Sequence, residues 1–394
     1  MHSYPLYYEK PYQKTHTATI VDIVDSTLIL DSTICYPEGG GQSGDIGLIS
    51  GVQLVNTTKD DDHTIYHHVV EQKFSVGEKV TIELDWDHRY HFMQMHTAQH
   101  VASGLLFTRF GIQTVSVHQG ERVLTIETDA ASVEEATCFE LEDLVNAVVR
   151  QNHPVHYEVH TQSSAQNLGL RRSIKVEGDG VRLVVVDDVD TVACGGLHVA
   201  NTAEIELLHY YGQEKIRGHI RLIFTVGQVA REEIRRAEAA VRELGVLFSS
   251  PLEGLVDVAR TAVASAALVK SELRKAQQAI ASLLLASLVE KADRVSMVPV
   301  VYWNVPEEMD MKDIAQALME HEDLLLCAAK EVEGRMLWLI GVQGKASAVL
   351  DFNTGKSSLL SAIEGKGGGK APLFQGSAQA CSTTFFSACK DLIQ

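Results

Sequence analysis

No run of about 18 apolar residues occurs in the 394-residue sequence, so a membrane-spanning helix is not expected. The opening Met1-His2-Ser3-Tyr4-Pro5 lacks the basic segment and apolar run of a secretion signal, which predicts a soluble, cytoplasmic protein. Positive charge is also scarce. Lys and Arg number 34 against 52 Asp and Glu, and the net charge of −18 argues against a protein that coats nucleic acid through bulk charge. Any RNA contact is therefore expected to be local. The six cysteines, Cys35, Cys138, Cys194, Cys327, Cys381 and Cys389, form no short-spaced framework, as expected for a reducing compartment. What is present is a folded composition: 45% hydrophobic and 22% charged residues can bury at least one sizeable core. The length suggests about two to four domains.

The first ninety or so residues carry β-branched runs between turn signals at Thr17–Val24, Thr27–Leu30, Val52–Asn56, Thr64–Val69 and Lys79–Asp85. This pattern predicts a small β-barrel over residues 1–89. Within it, Tyr36 to Asp45 holds three successive glycines, which demand unusual backbone angles or the close approach of another backbone, as in a wide turn at a barrel corner. From Tyr90 to Phe110 the apolar spacing turns helical; strands are expected at 114–128, 181–186, 204–210 and 219–226, with a helix at 132–150. Residues 90–226 thus read as an α+β core. Ala, Glu, Arg and Leu dominate 227–293, where Ser250-Pro251 separates two helices read as an antiparallel hairpin, a linker or dimer contact. Leu273, Ala276, Ile280, Leu284 and Leu288 are expected to form its apolar side. Residues 294–394 alternate as a C-terminal α/β domain. The overall class is α+β.

Two motifs carry chemistry. His96-Thr97-Ala98-Gln99-His100 places two imidazoles on one helical face, where they can grip one metal ion, although the same spacing is common among ordinary surface and core histidines. Thr97 stands where a zinc protease needs glutamate, so that chemistry is disfavoured. The second motif, Cys194-Gly195-Gly196-Leu197-His198, adds a thiolate and a third imidazole, and one Cys with three His suits tetrahedral Zn²⁺. A closed four-ligand zinc would be structural; a site with an open position would be catalytic. The sequence leaves both open. Thr354-Gly355-Lys356-Ser357 imitates a phosphate-binding loop, but Leu350 occupies the first glycine position. Asp60-Asp61-Asp62-His63 and His67-His68 read as solvated loops.

The two motifs together, with Leu6 to Tyr12, Tyr36 to Asp45, Asn201 to Ile205, Arg217 to Ala230 and Gly365 to Ala378, resemble the freestanding alanyl-tRNA editing proteins of the long form. These are similar to the editing and C-terminal regions of alanyl-tRNA synthetase. The resemblance runs over nearly the whole chain. It implies a zinc-containing editing core and a DHH-associated C-terminal domain whose glycine-rich loop is Gly365 to Ala378. It also implies one Zn²⁺ per chain held by His96, His100, Cys194 and His198, with catalysis through that metal. No class II synthetase catalytic core is evident, so the chain is not expected to charge tRNA. The implied activity is ATP-independent hydrolysis in trans of the ester on tRNA(Ala) mischarged with serine or glycine, because a site selected for alanine discriminates poorly against residues differing by one methyl or one hydroxyl. The segment containing Ser116 and His118 corresponds to the lining of the amino-acid pocket. Thr97 and Gln99, which flank the helical ligands, are further pocket residues, and Gln42 with Gly39, Gly40 and Gly41 approaches the acceptor end. A homodimer through the helical linker and C-terminal domain is a further expectation, and no membrane contact is. The rival reading is a noncatalytic tRNA-binding protein with a structural zinc.

Overall fold

The computed structural model describes residues 3–168, 170–172 and 180–393. The chain divides into two compact units, Met1–Glu243 and Leu244–Gln394. Among the described residues no helix is long and apolar enough to cross a membrane.

The first unit begins with the expected barrel. Six antiparallel strands close on themselves in the order Thr15–Val24, Thr27–Leu30, Ile65–Val69, Val52–Lys59, Gly47–Ile49 and Lys79–Leu84. Strict alternation sends Val80, Ile82 and Leu84 inward to meet Ile20, Leu28, Leu30 and Leu54, which satisfies the period-2 pattern of a one-sided strand. Closure leaves no strand edge unpaired.

Helix α1 (Trp86–Phe110) follows directly, capped by Asp85, whose side chain accepts from the His88 amide, and stopped by Gly111 in the left-handed region at φ 68°. Every residue from Phe92 to Leu106 is buried. A helix buried all round shows no single apolar stripe, and here the buried set includes Gln94, His96, Thr97, Gln99, His100 and Ser103. Arg89, 1% exposed, ties the helix to the barrel: its Nε donates to Asp45 at 2.8 Å, its Nη2 to Asp45 and to the Ile34 carbonyl, and its Nη1 to the Pro11 carbonyl.

Beside a short parallel pair of Tyr4–Pro5 with Ser32–Thr33, the described residues of the unit hold two larger sheets. A four-stranded antiparallel sheet runs in the order Leu208–Ile216, His219–Val226, Leu124–Thr128, Thr114–Gln119, and a three-stranded one joins Val155–His160, Val181–Val186 and Asp190–Ala193. The strands expected at 114–128 form a hairpin, turned at the polar Gly120-Glu121-Arg122 stretch. The strand expected at 204–210 starts at Leu208; Thr202–Ile205 is a 3₁₀ turn closed by a capping box between Asn201 and Glu204.

In the second unit a six-stranded sheet has one parallel pair, Val298–Asn304 with Leu324–Val332, joined by the crossover helix Met311–Leu318. Helices cover both faces. One expectation changes. Gly365–Lys370 is the edge strand of this sheet, paired with Leu373–Ala378, not a loop. The helix Leu252–Glu290 turns Ala281 and Leu285 into the core, while Leu273, Ile280 and Leu284 are exposed, since two overlapping stripes satisfy the same helical period. Thr354 to Ser357 lies inside the helix Phe352–Ala362.

His67 also departs from the solvated loop. It sits in the strand Ile65–Val69, fully buried, with Nδ1–H donating to the Leu28 carbonyl at 3.0 Å and Nε2 accepting from Thr33 Oγ1 at 2.8 Å. Both nitrogens are used by a neutral ring, and burial pushes its pKa down to about 4. The unfolded chain therefore takes up a proton first as pH falls below about 6.5, and folding loses about 2 kcal/mol by pH 5 through this group. Denaturant titration at pH 7 and pH 5 is expected to show a wild-type loss larger by about that amount than the loss in His67→Asn. Equal losses would show that His67 does not carry the proton linkage.

Candidate metal centre

Helix α1 presents His96 and His100 one turn apart, and the loop after Asp190–Ala193 returns Cys194 and His198 to the same place. One donor atom from each of the four lies within 4.8 Å of the others. Cys194 Sγ is 3.4 Å from His96 Nε2, and the ring centroids of His96, His100 and His198 are 4.3 to 5.0 Å apart. The imidazoles are buried and the thiol is half-buried.

Each ring is oriented from behind. Gln42 Oε1 receives the Leu197 amide at 3.0 Å and His96 Nδ1 at 3.0 Å; a carboxamide oxygen only accepts, so His96 carries its proton on Nδ1 and offers the Nε2 lone pair to the cluster. Thr97 Oγ1 donates to the Met93 carbonyl and therefore accepts from His198 Nδ1 at 3.2 Å, leaving His198 Nε2 bare. That Nε2 is buried with no hydrogen-bond partner among the described residues. His100 Nδ1 is likewise unpartnered and faces Asp190 Oδ2 at 3.8 Å, whose carboxylate is held by Arg171 through contacts of 2.7 and 2.9 Å. A carboxylate behind a ligating imidazole is a common outer support of metal sites.

The ligand loop is fastened along its whole length. Arg182 Nη1 donates to the carbonyls of Cys194 (2.7 Å) and Gly196 (3.0 Å), and Tyr8 Oη to that of Gly195 (3.1 Å). The amides of His198, Val199 and Ala200 go to Tyr157 Oη, Thr97 Oγ1 and Tyr12 Oη. The Arg182 guanidinium stacks over Tyr157 and Tyr8 at 3.9 and 5.0 Å. Gly196 has to be glycine, because a Cβ there would overlap the His96 ring.

The electrostatics match a metal-ready set. Burial, followed by the nearby Arg182 charge, lowers His96 to about 3, and burial lowers His100 and His198 well below the usual range, so all three stay neutral with lone pairs available. Burial raises the Cys194 thiol, against opposing pulls from the Gly196 amide and Arg182. A metal ion is what would make four such donors mutually compatible, and the residues present fit one: a bare buried nitrogen, two imidazoles with fixed tautomers, and a thiol.

The remaining expected site residues divide. Gly39, Gly40, Gly41, Gln42 and His118 line a cleft of about 700 Å³, together with Gln119. None of the four clustered donors lines it; Gln42 is the shared element. Ser116 does not line the cleft and bonds Glu127 at 3.1 Å. Thr97 and Gln99 face inward: the first orients His198, the second donates to Ser103 Oγ. Sequence reasoning missed Tyr8, Tyr12, Tyr157, Arg182 and Asp190, which hold the ligands, since tyrosines and arginines in strands and turns carry no spacing signal of their own.

Comparison with known proteins gives the setting. Residues 7–88, the barrel region, match the family described as tRNA synthetases class II (A). The chain is 30% identical over 372 residues to the alanine–tRNA ligase of Methanococcus vannielii, covering 90% of this chain and 42% of that one. It is 28% identical over 355 residues to the alanyl-tRNA editing protein Aarsd1 of Danio rerio, covering 89% and 84%, and 27% identical over 359 residues to that of Mus musculus, covering 90% and 85%. A solved structure, the C-Ala domain of Aquifex aeolicus alanyl-tRNA synthetase, is 21% identical over 25% of this chain and 92% of that one, with a TM-score of 0.22. The chain spans about two-fifths of the length of the alanine–tRNA ligases it matches. The resemblance carried by the motifs therefore holds: this chain is similar to the alanyl-tRNA editing proteins over most of both lengths, and to a part of the alanine–tRNA ligases.

Proposed function

We propose that this chain is an aminoacyl-tRNA deacylase that hydrolyses the ester of tRNA(Ala) mischarged with serine or glycine, at a zinc ion held by His96, His100, Cys194 and His198. The observation that carries the reading is the convergence of these donors from two segments about a hundred residues apart, with a bare imidazole nitrogen among them. The similarity to proteins named for alanyl-tRNA editing supplies the reaction. When bound, zinc supplies a Lewis acid for a carbonyl or a water molecule.

The chain's own residues supply position. Gln42 and Thr97 fix which nitrogen of His96 and His198 faces the centre, and Asp190 stands behind His100. Arg182, Tyr8 and Tyr157 hold the loop so that Cys194 and His198 arrive together. Among the described residues no free carboxylate stands at the cluster to act as base, because Asp190 is committed to Arg171. For recognition of the serine hydroxyl, His118 is the candidate of the two expected, since the Ser116 hydroxyl is taken by Glu127. A buried group satisfied by that hydroxyl would be left unpaired with alanine, which is how such a site rejects the correct product.

A second reading rests on one observation: four protein donors complete a tetrahedral shell, as in structural zinc sites. Chelation separates the two. A catalytic or substrate-positioning zinc is expected to take ester hydrolysis with it while circular dichroism stays largely unchanged; concurrent unfolding would assign the metal to structure.

The direct assay compares esters on tRNA(Ala). Ser-tRNA(Ala) is expected to be hydrolysed at least about a hundredfold more efficiently than Ala-tRNA(Ala), and Cys194→Ala to retain less than about a hundredth of that activity. Equal hydrolysis of both esters, or an unaffected variant, would overturn the proposal. Gly196→Ala, which displaces His96, is expected to weaken zinc binding in a competition titration by roughly ten- to a hundredfold, more than Gly195→Ala, whose added methyl makes only an ordinary van der Waals contact with Tyr8 Oη. Unchanged affinity in Gly196→Ala would mean that His96 is not a ligand.

A further inference from the structure

The cleft of about 700 Å³ beside the cluster has no role in holding the metal, and its size is that of a ligand pocket, not of a serine side chain. Its position restricts what enters. Gln42 touches His96 on Nδ1, the side of the ring away from the Nε2 that faces Cys194. A serine side chain held at the cluster would fill only a small part of this cleft; a group attached on the other side of the ester, the terminal nucleoside, is large enough to occupy the rest. The charge of the lining selects further. Glu38 and Glu121 outnumber Lys59, so a phosphate is disfavoured and an uncharged, flat group is favoured, with Phe92 supplying an apolar wall.

Within this lining Gln119 is anomalous. It is 3% exposed, and both polar atoms of its carboxamide are buried without a hydrogen-bond partner among the described residues. Leaving such a group unpaired is destabilising, a cost that a ligand relieves if it offers a donor and an acceptor side by side. Adenine does so through N6 and N7, and glutamine is the side chain that pairs with that edge bidentately. Gln119 lies under the three-glycine turn: its amide reaches the Gly41 carbonyl at a long 3.4 Å, while Gly40 and Gly41 have φ of 63° and 88°.

We propose, resting on the deacylase reading, that this cleft is the subsite for the terminal adenine of the acylated RNA and that Gln119 reads the N6/N7 edge. The inference is tested on the full chain with acceptor-stem minihelices of tRNA(Ala) that carry serine through a non-hydrolysable amide on the 3′ nucleotide. That nucleotide is adenosine, purine riboside, which lacks the N6 amino group, or 7-deazaadenosine, which lacks N7. For the wild type, Kd is expected to rise roughly tenfold for each analogue relative to adenosine. In Gln119→Leu and Gln119→Met the adenosine minihelix is expected to bind as weakly as the analogues, with no further loss for them. Equal Kd for the three termini in the wild type, which needs no variant to fold, would overturn the proposal; so would discrimination that survives in both variants, or no binding of any minihelix. Binding with discrimination but no hydrolysis of the corresponding serine ester would overturn the deacylase reading and leave the adenine subsite standing. Hydrolysis without discrimination would do the reverse.

Discussion

Three imidazoles and a thiol packed within 4.8 Å of one another, three of them out of reach of water, form the constraint on which the rest of the first unit depends. Protonated rings at that spacing would repel one another in a medium that screens poorly, so the rings must stay neutral. Neutral rings leave lone pairs that need a partner. Gln42 and Thr97 use one nitrogen each on His96 and His198, and the nitrogens left over point at a common place. A cation there turns four desolvated, mutually unfavourable donors into a stable set, and its binding is worth on the order of 10 kcal/mol in comparable zinc peptides. The same donors, without a cation, are a local liability.

That arrangement explains why so much of the fold serves one loop. Residues 194 to 200 are held by side chains from the N-terminal turn (Tyr8, Tyr12), the barrel region (Gln42), helix α1 (Thr97) and the three-stranded sheet (Tyr157, Arg182). Arg89 locks the helix to the barrel through Asp45, so the barrel is the reference frame for half of the ligand set. Burial of the Arg89 guanidinium is tolerable because Asp45 and two carbonyls consume its donors. The barrel is thus more than a neighbour of the centre: it carries the glycine turn whose Gln42 reaches through to His96.

Much of this was legible in the sequence where chemistry repeats at a fixed spacing. The alternation of Lys79–Leu84 and the β-branched run of Thr27–Leu30 gave the barrel strands, and His96/His100 with Cys194/His198 gave the cluster. What was not legible depends on partners distant in sequence. Gln42 and Thr97 read as pocket residues because nothing in their surroundings reveals that an imidazole nitrogen sits 3.0 or 3.2 Å away. On Leu252–Glu290 two apolar stripes satisfy one period, and only packing shows that the one with Ala281 and Leu285 enters the core. Gly365–Lys370 reads as a loop by composition, yet pairing with Leu373–Ala378 makes it a strand, since register bonds outweigh the low strand propensity of glycine.

The central claim is that four named side chains meet on one ion. X-ray absorption at the zinc edge on the purified full chain measures this directly. The account predicts a single zinc with one sulfur at about 2.3 Å and three nitrogens at about 2.0 Å, and loss of the sulfur shell in Cys194→Ala. A spectrum with no sulfur neighbour in the wild type, or one unchanged by that substitution, would contradict it.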